Sequence, residues 1–347
     1  MMIDYKTLVI ARERDVFNGN LSSELCLAHS AYQKGHKVSF MLPEDFYIKD
    51  NSLHGITRRP NAEIIRSLDD FVDLLGNERH TLTEAKPLRD YDNILFRVAF
   101  KNQEEMATMQ NALGYLASLR TTNPEIAMIN DPSGIILAGS KIYETLVFGE
   151  LLPRTQVTKD ASRLKKVMDE ARTEGVKLVG KPLDGMGGAS VIPLPWESHS
   201  TFAELLVQPL GSDHPIPSII QEEVRGIDRR LFVLDGEIIG GYGRIPKEGD
   251  FRANLSTDGI LKQYTPQEID YELVAKMKDS LERDGLHFVG IDVIGPEKEG
   301  TLDNTKLIEI NVRCPGGIAE LDKIQARELS DRVISSMEEL SDNLRLG

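Results

Sequence analysis

Two apolar runs near the C-terminus carry ligand-type side chains: Phe288-Val289-Gly290-Ile291-Asp292-Val293-Ile294 and Leu307-Ile308-Glu309-Ile310-Asn311-Val312. A β-strand turns successive side chains to opposite faces, so Glu309 and Asn311 share a face; if the two strands pair, Asp292 joins them. Two carboxylates and one amide oxygen are hard donors of the kind Mg2+ takes, with phosphate oxygens completing its shell. A solvated sheet face is the commoner fate of such residues. Here their neighbours are apolar, and buried carboxylates with no cation are costly, so the metal reading is favoured.

The rest of the chain reads as α/β. Its 347 residues suit two or three modest domains or one multi-lobed enzyme. Hydrophobic residues make up 40% and charged residues 28%, which excludes collagen, low-complexity and disordered chains as whole-chain descriptions. Lys and Arg number 41 against 55 Asp and Glu, for a net charge of −14. A nucleic-acid binder needs a basic face, so no nucleic-acid partner is expected; small anions remain open to local sites. Two cysteines, Cys26 and Cys314, provide neither a disulfide framework nor a thiolate zinc site. No signal peptide or membrane-spanning run is read, so no membrane partner is expected and the location expected is cytoplasmic.

Apolar spacing outlines the organisation. A strand at 7–11, a helix carrying Leu21, Leu25, Ala28 and Tyr32, and a strand at 37–42 ending at Pro43 form a βαβ start and imply a parallel sheet. Residues 61–80 carry no clear pattern. A strand at 91–97, a helix at 104–119 and a segment at 124–129 close this unit. Next come a helix over 138–148, an extended segment at 152–158, a helix over 161–173 and a strand over 176–181. Strands at 219–224, 230–234 and 237–244 follow, the last two joined by the hairpin signal Asp235-Gly236. A polar loop fills 245–259. Ile269, Leu273, Met277 and Leu281 share one face of a helix over 266–285, and a helix begins near Asp322.

The strand at 176–181 runs into Lys181-Pro182-Leu183-Asp184-Gly185-Met186-Gly187-Gly188-Ala189-Ser190. Such glycines let backbone N–H groups approach an anion, and Lys181 can neutralise phosphate. From spacing alone a tight surface turn fits equally well. The segment is neither a Walker A loop nor a Rossmann turn, and no dinucleotide fingerprint follows the first strand. Around the loop at 245–259 lie Asp228, Arg229, Arg230, Arg244, Arg252 and Asn254. Arginine forks suit carboxylates and phosphates; a solvated charge run is the alternative, and the better one for Arg229. A loop of that length inside a compact domain is often a lid.

In this order, the segments 181–190, Arg244-Ile245-Pro246 with Arg252-Ala253-Asn254-Leu255, 288–292 and Glu309-Ile310-Asn311-Val312 resemble the prokaryotic glutathione synthetases of the ATP-grasp superfamily. The resemblance is dense over 130–321 and looser over the first 120 residues. It implies an ATP-grasp fold with an N-terminal parallel-sheet domain (1–129), a subdomain with the phosphate loop (130–210) and a subdomain with the metal site and mobile loop (211–347). It implies ATP and Mg2+ as cofactors. Lys141, Lys181, Gly185, Gly187, Gly188, Gln221, Glu222, Val224 and Asp228 then fall at nucleotide positions. Arg230, Arg252 and Asn254 fall at catalytic positions, and Asp292, Glu309 and Asn311 at metal positions. Arg244 falls near phosphate and peptide substrate. The reaction implied is ATP-dependent joining of γ-glutamylcysteine to glycine through an acyl phosphate. It needs no protein nucleophile, and no Ser-His or Cys-His signature is present. A homo-oligomer is also implied.

Two segments depart from the family pattern. Val98-Ala99-Phe100-Lys101 stands where Lys-Asp-Pro-Pro is usual, and Arg313-Cys314-Pro315-Gly316-Gly317 where Thr-Ser-Pro-Thr is usual. The second lies where the family's acceptor amino acid binds, which makes Arg313, Gly316 and Gly317 substrate-binding candidates and Cys314 a buried loop cysteine. Asp131-Pro132 also replaces a usual Lys-Pro. These departures leave open a related ligase joining another acid and amine. A nucleotide-binding regulatory protein without catalysis is disfavoured, because both lysines and all three metal-ligand candidates are present.

Overall fold

The computed structural model describes residues 4–61, 65–183, 191–195, 199–208, 214–245, 260–324 and 328–346. The chain begins with β1 (Lys6–Ala11), α1 (Glu13–Val16), α2 (Ser23–Gln33), β2 (Lys37–Lys49), β3 (Ser52–Pro60), α3 (Leu68–Leu75), β4 (Thr81–Pro87), β5 (Asn93–Arg97), α4 (Gln103–Thr122) and β6 (Ala127–Ile129). The strands form one sheet in the order β4-β3-β2-β1-β5-β6. Strands β2, β1, β5 and β6 run parallel. The Ser22 side chain caps α2 by accepting from Leu25 N, and Gly35, at φ +92°, turns the chain into β2. Helices α2 and α4 cover opposite faces of the sheet, each with its own core.

The sheet is mixed rather than parallel throughout, since β3 and β4 join it antiparallel. Pro43 does not stop β2. Its pairing with β3 shifts register between Met41 and Phe46, and the irregularity absorbs a residue with no N–H to give. Strands β3 and β4 escape a sequence reading because charged residues such as Arg58, Arg59, Glu84 and Lys86 break their alternation, which in β4 suits a sheet edge.

The middle of the chain supplies α5 (Pro132–Ala138), α6 (Lys141–Val147), β7 (Thr155–Thr158), α7 (Ala161–Glu174), β8 (Leu178–Pro182), β9 (Ile192–Leu194), α8 (His199–Val207) and β10 (Ser218–Glu222). Its antiparallel sheet has the order β7-β10-β8-β9. Leu164, Met168 and Ala171 of α7 pack with Leu178 and Ile220 beneath it. The helix expected over 138–148 is α6, which starts later, at Lys141, and α5 ahead of it is not among the expected helices. The chain breaks at Gly139, and Ser140 starts α6 by accepting from Ile142 N.

The third sheet is built from β11 (Ile227–Leu234), β12 (Glu237–Ile245), β13 (Ile260–Gln263), β14 (Phe288–Gly295) and β15 (Lys306–Asn311), with α9 (Glu268–Arg283) between β13 and β14. Its order is β13-β12-β11-β14-β15, all antiparallel. Asp235 and Gly236 both have positive φ, as a two-residue hairpin turn requires. Ile269, Leu273, Met277 and Leu281 are the buried stripe of α9. The chain ends with α10 (Ile318–Ile324) and α11 (Glu328–Leu346), and α11 returns to pack on α2, placing Leu329, Val333, Ile334 and Met337 in one core with Leu25 and Phe40.

The first and third sheets are joined through Asn130, just after β6. Its Nδ2 donates to Phe288 O and Val312 O, each at 2.7 Å, and its Oδ1 accepts from Phe288 N at 2.6 Å. One side chain thus holds the start of β14 against the end of β15, the two strands with the ligand-type residues.

Candidate active site

Strand register sets the centre of the site. Asp292 lies opposite Glu309, and Gly290 opposite Asn311, so Asp292, Glu309 and Asn311 share a face of β14 and β15. On the other side of β14, Asp292 lies opposite Arg230 of β11. Arg230 grips the Asp292 carboxylate with Nε and Nη2 at 2.7 and 2.6 Å. Arg244 of β12 lies opposite Asp228, bonds to it, and reaches Asp292 at 3.2 Å. The row across the sheet is therefore built of alternating charge.

Burial tunes these groups. Burial alone would push Asp292 up, but Arg230 and Arg244 hold it below the usual carboxylate range. Asp228 is pushed up to about 6 by burial, with Arg244 opposing and Asp292 adding to the rise.

Above this row, Lys141 opens α6. Its Nζ donates to Glu309 Oε1 at 2.9 Å. Burial works against its charge, yet the Glu309 and Glu144 carboxylates raise it to about 12. Glu144 accepts from the Ile310 amide at 2.8 Å and is pushed up to about 7, mainly by burial. From the four-stranded sheet, Lys181 donates to Gln221 Oε1 at 2.8 Å. Burial first, and Lys141 second, pull Lys181 down to about 8. Two buried lysines thus converge from separate elements on one pair of carboxylates, an arrangement suited to a ligand rich in negative oxygen.

The donor set fits a divalent cation. Asp292, Glu309 and Asn311 offer two carboxylates and one amide oxygen on one face, the hard oxygen donors that Mg2+ takes. Among the described residues no group of three His, Cys, Asp or Glu side chains is placed to hold a metal ion; the set here is two carboxylates and an amide. Lys141 pairs with Glu309 and Arg230 with Asp292.

The loop after β15 borders the same site. The Arg313 guanidinium lies 5.3 Å from the Phe100 ring centroid and donates to Gly139 O. Together with Met106, Met109, Lys141 and Glu309, these residues line a cavity of about 160 Å3. A side chain at Gly317, φ +98°, would run into the Tyr242 hydroxyl, whereas Gly316 faces open space.

A family model of the prokaryotic glutathione synthetase ATP-grasp domain matches residues 140–326, more than half of the chain. The chain belongs to the prokaryotic glutathione synthetase family. It is an ATP-dependent carboxylate–amine ligase with the ATP-grasp fold. A glutathione synthetase of Synechococcus elongatus is 28% identical over 322 residues, covering 92% of this chain and 93% of that one. One of Synechocystis is 33% identical over 213 residues, 61% of this chain and 62% of its own. The solved D-cycloserine synthetase DcsG superposes with a TM-score of 0.65 at 13% identity, covering 96% of this chain and 99% of that one. D-alanyl-alanine synthetase A of Vibrio cholerae superposes with a TM-score of 0.61 at 12% identity, covering 98% and 99%. At such identity these two show the fold alone.

Among residues expected at the family's sites, Lys141, Asp228, Arg230, Arg244, Asp292, Glu309 and Asn311 lie together around the acidic pair, and Lys181, bonded to Gln221, feels the charges of Lys141 and Glu309 from the four-stranded sheet. Glu222 ends β10, and Val224 lies in the link to β11, both half-buried. Gly185, Gly187, Gly188, Arg252 and Asn254 lie outside the described residues. Arg229 departs from expectation. It is no solvated charge but fully buried, 3.0 Å from the equally buried Asp270. Strand alternation turns it away from Arg230, under α9. Sequence reasoning missed Asn130 and Glu144; one marked only a unit boundary, the other one turn of a helix. The buried Glu24 and Arg97 were missed too, though an acid and an arginine in apolar runs were a signal.

Proposed function

We propose that this chain is a glutathione synthetase, joining γ-glutamylcysteine to glycine at the cost of ATP. The observation that carries this is the meeting of Lys141 with Glu309 beside Asp292, in a chain similar to named glutathione synthetases over nine-tenths of its length. A carboxylate is a poor acylating agent because oxide is a poor leaving group. The C-terminal carboxylate oxygen of the acid takes the terminal phosphoryl group of ATP, giving an acyl phosphate and ADP. The glycine amine then attacks the acyl carbon, loses a proton, and phosphate departs.

In this reading Lys141 and Lys181 neutralise the phosphates, and Gly185, Gly187 and Gly188 offer backbone N–H groups to them. Gln221, Glu222, Val224 and Asp228 border the nucleotide. Asp292, Glu309 and Asn311 hold Mg2+, which when bound supplies positive charge to the phosphate oxygens. Arg230, Arg252 and Asn254 stabilise the transferring group, while Arg244, Arg313, Gly316 and Gly317 face substrate. The same reading carries the division at 1–129, 130–210 and 211–347, a homo-oligomer and a cytoplasmic location.

ADP release dependent on amine and acid together tests it, screened over pairs. Release with γ-glutamylcysteine and glycine is expected. A second reading, a ligase for another acid and amine, is favoured by one observation: the two segments departing from the family pattern meet where Arg313 covers Phe100. Release with a different pair alone selects it. ATP binding with no productive pair removes both.

A further inference from the structure

Glu24 and Arg97 are buried opposite charges with no part in the chemistry above. Glu24 sits in the first turn of α2 and Arg97 at the end of β5, 5% and 3% exposed. Their charges are 3.3 Å apart. Both also reach the loop after β15. Arg97 Nη2 donates to Pro315 O at 2.8 Å, and the Cys314 thiol donates to Glu24 Oε1 at 3.0 Å. Burial pushes that thiol well above its ordinary range, so it keeps the proton it donates.

The loop is held from the opposite side as well. Gly316 O accepts from Tyr242 Oη at 3.3 Å and from Arg230 Nη1 at 3.5 Å. Arg230 is the residue that grips Asp292. Pro315 also lies against the backbone of Gly290, where any Cβ would collide with it. A segment with two adjacent glycines is intrinsically loose, and here three groups from two sheets, Arg97, Tyr242 and Arg230, fix its carbonyls.

We propose that Glu24 and Arg97, acting with the Cys314 thiol, form a positioning clamp by which the N-terminal sheet sets the 313–317 loop for the incoming amine. It rests on the reading above only in placing the amine beside that loop. The three side chains are positioning residues: Arg97 holds the Pro315 carbonyl, Glu24 holds Arg97 and the Cys314 thiol, and they act on the loop and not on the acidic pair. The clamp makes the N-terminal sheet part of amine recognition through its carbonyl contacts.

Cys314→Ala and Cys314→Ser test this, with hydrogen exchange at the loop amides and separate KM values for amine, acid and ATP. In Cys314→Ala, faster loop exchange and an amine KM raised about tenfold are expected, with the ATP KM within about twofold of wild type. Cys314→Ser, which keeps a donor for Glu24, restores both. Unchanged exchange and unchanged KM values in Cys314→Ala overturn the clamp. So does a uniform rise in all three KM values with a lowered melting temperature, which marks a merely structural role. Faster exchange with a raised acid KM in place of the amine KM upholds the clamp and overturns the placement of the amine.

Discussion

Lys141 and Glu309 each depend on the other for a charge partner in the site. Glu309→Ala removes one oxygen donor beside Asp292 and leaves a buried ammonium facing a gap. Amine-dependent ADP release should fall by at least about a hundredfold; a variant within tenfold of wild type removes Glu309 from the mechanism. Lys181 invites a pH test. Its value in the fold is lowered to about 8 from an ordinary 10.5. Between those values the unfolded chain binds the extra proton, so this group's contribution to stability rises with pH there. Its attraction for phosphate moves the other way. The dissociation constant of a non-hydrolysable ATP analogue, read by calorimetry, should rise from about pH 7 to about pH 9, and Lys181→Met should flatten that rise.

Among elements, the junction of β11 with α9 is the clearest case of a buried ion pair. Arg229 and Asp270 meet at 3.0 Å with no exposure. Asp270 also accepts from Gln267 N, closing the start of α9, and from the Tyr264 hydroxyl. Asp270→Ala should cost about 3–5 kcal/mol in urea unfolding, because it strands the arginine, with the amine KM unchanged. The stripe of α9 and the hairpin at Asp235-Gly236 were legible, since both rest on local periodicity and local φ. The edge strand β4 and its neighbour β3 were not, because charged side chains interrupt their alternation and leave no period strong enough to read. The break between α5 and α6 was hidden too: Gly139-Ser140 interrupts an apolar pattern that continues on either side.

On the scale of the molecule, one core runs from α4 through β5 to α9, β14 and β15, and Asn130 bonds across the same junction. Asn130→Ala leaves three buried backbone groups without their partner. A loss of about 3 kcal/mol is expected, seen as a lower melting temperature; a loss below about 1 kcal/mol means other contacts carry the junction. No helix of the described residues is long and apolar enough to cross a membrane.

By itself the sequence determined the two strands that carry Asp292, Glu309 and Asn311, the face that Glu309 and Asn311 share, and the stretches able to form helices. Each of these follows from a period of two or of 3.6 and from local caps. Only the tertiary structure decided what lies opposite each face. It put Arg229 under α9 and Arg230 on Asp292, bound Gln221 to Lys181, and brought Glu24 to Cys314 across 290 residues of chain. Alternation says which side a residue points to. Strand order and sheet packing, which no local pattern encodes, choose its partner.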